Sequence, residues 1–217
     1  MRVWDAPTRV FHWLLVALIA ASWWSGANAV PRVHVFSGLA VVGLLVFRIY
    51  WGFFGSTLCR FASFTTGPRT VLAYARALLK SQASGHIGHN PLGGWSVLAM
   101  LGLLATQVGF GLFAVDIDGL ANGPLSHLVT FREGRAAARI HAIVFNVLLA
   151  AIALHVLAII FYFFFKKENL VGPMVTGHKK YKQKIEARLM FYGFQRAVIG
   201  IVLAGVVVVV LLWGFRF

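Results

Sequence analysis

His141 and His155 stand fourteen residues apart in the unbroken apolar run from Ile140 to Phe165. On an α-helix that spacing advances the chain by about 21 Å and almost four whole turns. Both imidazoles therefore face nearly the same way, separated by about two-thirds of a hydrocarbon core roughly 30 Å thick. An ionisable side chain inside a membrane span is costly and by default marks a function, usually with a partner. Neutral imidazole is a strong axial donor to haem iron. Two of them at two depths on one helix suggest two cofactors stacked at two depths.

Two more histidines complete the pattern. His12 stands early in the first apolar run, and His34 opens the second. With antiparallel spans, His12 shares a level with His155, and His34 shares one with His141. Two histidines from different helices at each level suit bis-imidazole binding of a b-type haem between helices of a bundle. Filling both axial positions favours electron transfer over oxygen binding. A lone intramembrane histidine is often only a hydrogen-bonded packing residue; the matching in two layers weighs against that reading. His86, His89, His127 and His178 fall in loops, and each alone reads as a surface residue.

Composition supplies the elements that position these groups. The chain of 217 residues is 59% hydrophobic and only 12% charged, with a mean hydropathy of +0.80, outside the range of soluble domains. Apolar runs of spanning length occur at about 9–27, 34–54, 93–115, 138–165 and 196–214. The fold class expected is an all-α integral membrane protein, one compact bundle of five spans.

The net charge of +14 would suggest nucleic acid in a soluble protein. Its placement points elsewhere. Fifteen of the twenty Lys and Arg residues, including Arg2, Arg9, Arg48, Lys166 and Lys179, fall in segments on the side of the N-terminus. Five fall on the other side: Arg32, Arg132, Arg135, Arg139 and Arg216. The positive-inside rule then gives N-in, C-out with five spans. The basic tract 179–188 reads as an inner surface near anionic lipid, with no nucleic-acid role.

Shorter features follow. Arg2 and Arg9 before an apolar stretch, with Ala27-Asn28-Ala29 after it, imitate a signal peptide. His12 would be an odd guest in a disposable segment, so this stretch reads as a retained span. The single Cys59 excludes an intramolecular disulfide and a Cys-based metal centre, and reads as a buried inert thiol. Residues 69–80 carry apolar positions at helical spacing behind Pro68, as an amphipathic helix on the inner surface would.

At this point the residues also carry a resemblance. Val3-Trp4-Asp5-Ala6-Pro7-Thr8-Arg9-Val10-Phe11-His12-Trp13, Arg48-Ile49-Tyr50-Trp51-Gly52, the Gly88-His89-Asn90-Pro91-Leu92-Gly93-Gly94 loop and the fourth-span histidine pair resemble the bacterial cytochrome b561 and nickel-hydrogenase b-type cytochrome superfamily, which includes formate dehydrogenase membrane subunits. The resemblance covers about 1–180. It implies a four-helix di-haem bundle over 1–180, followed by a basic inner segment and an additional C-terminal transmembrane helix over 181–217. This fifth span departs from the family's four-helix core and, holding no histidine, cannot add a haem.

The resemblance implies two b haems, quinone exchange near the inner one, and a periplasmic redox partner such as a c-type cytochrome or a hydrogenase-like enzyme. Carried over, the ligands are His12 with His155 for the inner iron and His34 with His141 for the outer. Arg9 and Arg48 stand at the inner level and Arg139 at the outer, where each can pair a haem propionate or simply snorkel to the surface. His89, Asn90 and Gly93 are the quinone candidates, although a Pro/Gly loop can equally serve only to turn the chain. A stand-alone superoxide-to-quinone oxidoreductase, approached over Arg132, Arg135 and Arg139, is the nearest alternative. A haem-free transporter or assembly factor is the second. The fifth helix offers a surface for lipid or for homo- or hetero-oligomer formation.

Overall fold

A computed structural model describes residues 1–80, 86–119, 122–181 and 188–214. Five helices are long and apolar enough to cross a membrane. They are α1 (Ala6–Ala27), α2 (Pro31–Phe54), α5 (Pro91–Phe113), α6 (Phe131–Phe164) and α8 (Phe194–Gly214). Between them lie the short α3 (Phe61–Phe64), α4 (Pro68–Leu79) and α7 (Val171–Thr176). Among the described residues there is no β-strand, only a single bridging pair between Arg2 and His178. The chain is an all-helical membrane bundle, as expected.

Local chemistry sets where the helices begin. Asp5 caps α1, its Oδ1 accepting from Thr8 N at 2.8 Å, with Pro7 in the first turn. Pro31, Pro68 and Pro91 open α2, α4 and α5, where a missing N–H costs nothing. α6 starts at a reciprocal capping box between Thr130 and Glu133. This puts its start seven residues before the hydropathy boundary at 138, because hydropathy marks the membrane and the cap marks the helix. At 34 residues α6 runs about 51 Å and overshoots the hydrocarbon core. The amphipathic helix expected at 69–80 is present as α4. α7 was not anticipated, being a single short turn inside a basic segment.

The bundle is built in pairs. α1 packs along α2, α5 along α6, and α8 along the outside of α2, while α2 alone makes substantial contact with α5 across the middle. In lipid, close backbone approach drives such packing. Gly43 on α2 faces Val208, and Gly200 on α8 faces Tyr50 and Phe47, positions where a Cβ would stand 3.1 and 2.6 Å from its neighbour. Ala197 and Ala204 of α8 are buried at the same seam. The fifth helix thus leans on the core from one side.

One end of the bundle, where α1 begins, is closed by a strap. Val3 N and Trp4 N both donate to the Gly177 carbonyl, at 2.8 and 3.2 Å. Trp13 Nε1 donates to the Met174 carbonyl and Arg9 Nη1 to that of Val175. Gly177 has φ +81° and the Trp4 carbonyl 2.8 Å from where a Cβ would sit, so no side chain fits. Lys182, Lys184 and Arg216, part of the charge bias read from the sequence, lie outside the described residues.

Candidate haem sites

α6 presents one stripe toward the bundle interior at seven-residue steps: His141, Leu148, His155 and Tyr162. Leu148 is buried midway between the two histidines, in a cluster with Val41, Leu45 and Leu104. This apolar layer divides the interior into two levels.

At the far end, His34 of α2 and His141 of α6 come together, ring centroids 5.9 Å apart and planes at 80°. Both line a cavity of about 380 Å³ together with Gly38, Leu104, Gln107 and Phe145. The Nδ1 of His34 meets the Ser22 carbonyl at 2.9 Å, and the Nδ1 of His141 meets the Gln107 carbonyl at 2.8 Å. A carbonyl oxygen can only accept, so each Nδ1 carries the proton and each Nε2 keeps its lone pair. That is the tautomer an axial ligand needs. The Gln107 side-chain amide sits 3.1 Å from His141 Nε2, while its Oε1 is buried without a partner. Ligation by His141 therefore requires that amide to swing away. A Cβ on Gly38 would meet nothing within 4 Å, which leaves space on the cavity wall where a flat ring can lie.

At the N-terminal end, His12 of α1 and His155 of α6 are both partly buried. Polar atoms without partners gather at this end: Arg9 Nε, His12 Nδ1, Arg48 Nη1 and His89 Nδ1 are all buried and unpaired. Arg48 is 4% exposed, its guanidinium over the Phe61 ring at 4.9 Å. An excess of buried donors suits a cofactor that brings its own carboxylates, as a haem does through its propionates. Arg9 spends one nitrogen on the Val175 carbonyl. Arg139, the outer candidate, is exposed. The residues at both ends fit haem.

His89 departs from the surface position expected of a loop residue. Its ring packs between Trp4 and Phe64, with centroids 4.8 Å from each. Burial pushes its imidazole down to about 4, and the charge of Arg48 adds to the effect. His89 is thus a neutral group at physiological pH. Asn90 and Gly93 are tied to helix geometry instead: Asn90 caps α5 by accepting from Gly93 N at 2.7 Å. The Asn90 amide also donates to Tyr162 Oη at 2.8 Å, and that hydroxyl lies 2.9 Å from Tyr74 Oη.

Two functional groups escaped the sequence reading. Asp5, fully buried, accepts from Thr8 N, from Trp51 Nε1 at 3.0 Å and from Cys59 Sγ at 3.6 Å. Burial and the Asp5 charge push the Cys59 thiol up to about 12, so it is inert as expected. Gln107 is the other, and its signal was available: a lone amide in an apolar span. Through Asp5–Trp51 and Trp4–His89, the three separated motifs of the opening segment, second span and His89 loop interlock at one end.

No curated protein and no solved structure is similar enough to this chain to match it. A family model described as prokaryotic cytochrome b561 matches residues 3–177, which takes in α1 to α7 and leaves α8 outside. With most of its length matched, on an all-helical bundle whose interior carries paired histidines, the chain belongs to the prokaryotic cytochrome b561 family: a multi-pass inner-membrane b-type cytochrome of electron transfer.

Proposed function

We propose that the chain holds two b haems, one on His34 and His141 and one on His12 and His155. It carries electrons across the membrane between a periplasmic redox protein, such as a c-type cytochrome or hydrogenase-like enzyme, and the quinone pool. The observation that carries this reading is the far-end pair: two imidazoles from different helices share one cavity, with both Nδ1 protons spent on carbonyls. A bound b haem supplies a one-electron iron couple with both axial positions filled.

The protein's own residues do the rest. The Ser22 and Gln107 carbonyls fix the orientation of the ligating rings. Val41, Leu45, Leu104 and Leu148 exclude water between the two levels. Arg9 and Arg48 hold buried donors for the propionates of the inner group, and Arg139 serves the outer one. The charge bias supports an N-terminal end on the inside, and the family resemblance puts quinone exchange at that end. His89, with an unpaired Nδ1, is the group left to bond a quinone oxygen. Asn90 and Gly93 frame the same turn, though the Asn90 amide is already engaged.

Two measurements test this. A dithionite-reduced minus oxidised spectrum with a pyridine-haem count is expected to give two b haems per chain, with His34→Ala and His155→Ala each losing mainly one. A colourless protein from cells given ample haem would sink the reading. Mixing the reduced protein with a soluble quinone is expected to reoxidise it, and His89→Leu to slow this at least tenfold. An unchanged rate would remove His89 from the site.

A further inference from the structure

The segment leading into α8 runs back along the end of α2. Thr57 N donates to the Met190 carbonyl and Met190 N to Thr57 Oγ1, both at 3.0 Å, and Tyr192 N donates to Ser56 Oγ at 3.3 Å. This pairing brings two arginines onto one phenol. Arg60 Nη2 donates to Tyr192 Oη at 2.9 Å, and its Nε donates to the Gly55 carbonyl at 2.8 Å. The Arg196 guanidinium lies 3.6 Å from the Tyr192 ring centroid, and its Nη1 reaches the Phe54 carbonyl at 3.4 Å.

Among the described residues, like charges have been gathered without a counter-charge. Among the described residues, the single ion pair is Lys179 with Glu168, and no carboxylate accompanies Arg60 or Arg196. Two guanidinium groups carry ten N–H donors, and only three are committed to the contacts above. The Tyr192 phenol is held below its usual range, first by the hydrogen bond from Arg60 and then by the charges of both arginines. The rim is apolar: Phe53 and Phe54 end α2, Phe194 begins α8, and all three are exposed.

We infer that Arg60, Arg196 and Tyr192 form a binding site for the phosphate headgroup of an anionic phospholipid. A phosphodiester offers two free oxygens that match forked guanidinium donors. The exposed phenylalanines stand where two spans enter the membrane, which places acyl chains beside them. A free phosphate shares the anion chemistry but leaves the apolar rim unused. Two of its three residues, Tyr192 and Arg196, come from beyond residue 177, so it exists because the fifth helix exists. It is independent of the haem reading.

The test uses the full chain in neutral detergent, with bound lipid counted by native mass spectrometry during titration with phosphatidylglycerol or phosphatidylcholine. The native protein is expected to prefer phosphatidylglycerol at least tenfold. Each basic residue near an anionic surface contributes on the order of fivefold, so Arg196→Gln should weaken binding about fivefold, and Arg60→Gln with Arg196→Gln about thirtyfold. The control Arg69→Gln with Arg76→Gln removes the same charge from α4 and should leave binding unchanged. Arg196 is exposed, so its single variant folds even if Arg60→Gln does not. Equal loss in the control would mean diffuse attraction and overturn the site. Displacement of the lipid by millimolar inorganic phosphate would mean a free-anion site and overturn the lipid assignment, as would equal binding of phosphatidylcholine.

Discussion

The two ends of this bundle solve different problems. At the far end, His34 and His141 are satisfied by the protein itself, each Nδ1 resting on a main-chain carbonyl beside an apolar cavity. At the N-terminal end, Arg9, His12, Arg48 and His89 keep buried polar atoms without partners, above a fully buried Asp5 that holds three donors. The far end is organised around its two imidazoles; the N-terminal end gathers buried polar groups in excess of their partners. Carbonyls cost little to bury when they accept, whereas buried donors without acceptors are costly. A fold keeps such an imbalance where a ligand restores it.

The most forceful way to separate the ends is to remove one ligand. His141→Ala is expected to lower the haem count from two to one per chain and to stop transmembrane electron transfer. On the two-haem proposal, the haem of the N-terminal end should stay, because Leu148 and its neighbours separate the levels. A variant that loses both groups together would show that the two sites fold as one unit. The pyridine-haem count decides between them.

Next in size is Asp5. Asp5→Ala deletes the α1 cap and leaves the Trp51 indole N–H buried and unpaired. The cap is worth about 1 kcal/mol and the orphaned donor about 1–3, for a loss of about 3 kcal/mol in thermal or chemical unfolding. Arg48 adds to it by losing a nearby carboxylate. The N-terminal-end haem should fall away at lower temperature than the far-end one. Asp5→Asn, which still accepts from Trp51, recovers much of the loss. Uniform loss at both ends would contradict the division drawn above.

A pH series sharpens the same contrast. His89 ionises near pH 4 in the folded chain and near 6.5 when unfolded. Between those values the unfolded chain binds a proton that the folded one refuses, so stability falls as pH drops through this window. The difference between native protein and His89→Gln should reach up to about 3 kcal/mol near pH 4 and vanish above about pH 7. A difference that persists at neutral pH would assign His89 a packing role alone.

How much of this was legible differs along the chain. The spans were readable because apolar runs and first-turn prolines are local signals, and the nearness of His34 to His141 was foreshadowed by helical spacing taken with antiparallel spans. The α6 start was written as Thr130 and Glu133 three apart, yet hydropathy is blind to caps. Asp5 was unreadable: an acidic residue beside a proline looks exposed, and only a contact 46 residues away with Trp51 makes it buried. Gly93, beside Gly94, read as a quinone candidate. In the fold Gly94 makes room for the Phe64 carbonyl, which would stand 2.5 Å from its Cβ. Close approach is visible in a glycine; what approaches is not.

The smallest effect probes how tightly the far end is held. Gly111 of α5 lies against His141, and a Cβ there would stand 2.9 Å from Cε1 and 3.0 Å from Nδ1. The imidazole cannot yield freely, because its Nδ1 is tied to the Gln107 carbonyl at 2.8 Å. Gly111→Ala therefore tilts the ring or stretches that bond, at a cost of about 1–3 kcal/mol for an overpacked site. Haem should still bind at both ends, but the far-end absorption band and midpoint should shift while those of the other level stay fixed. Gly102→Ala, on the same helix with nothing within 4 Å of its Cβ, should leave both unchanged. Identical spectra for the two variants would mean that the far-end ring is free to move, and that its carbonyl bond does not hold it.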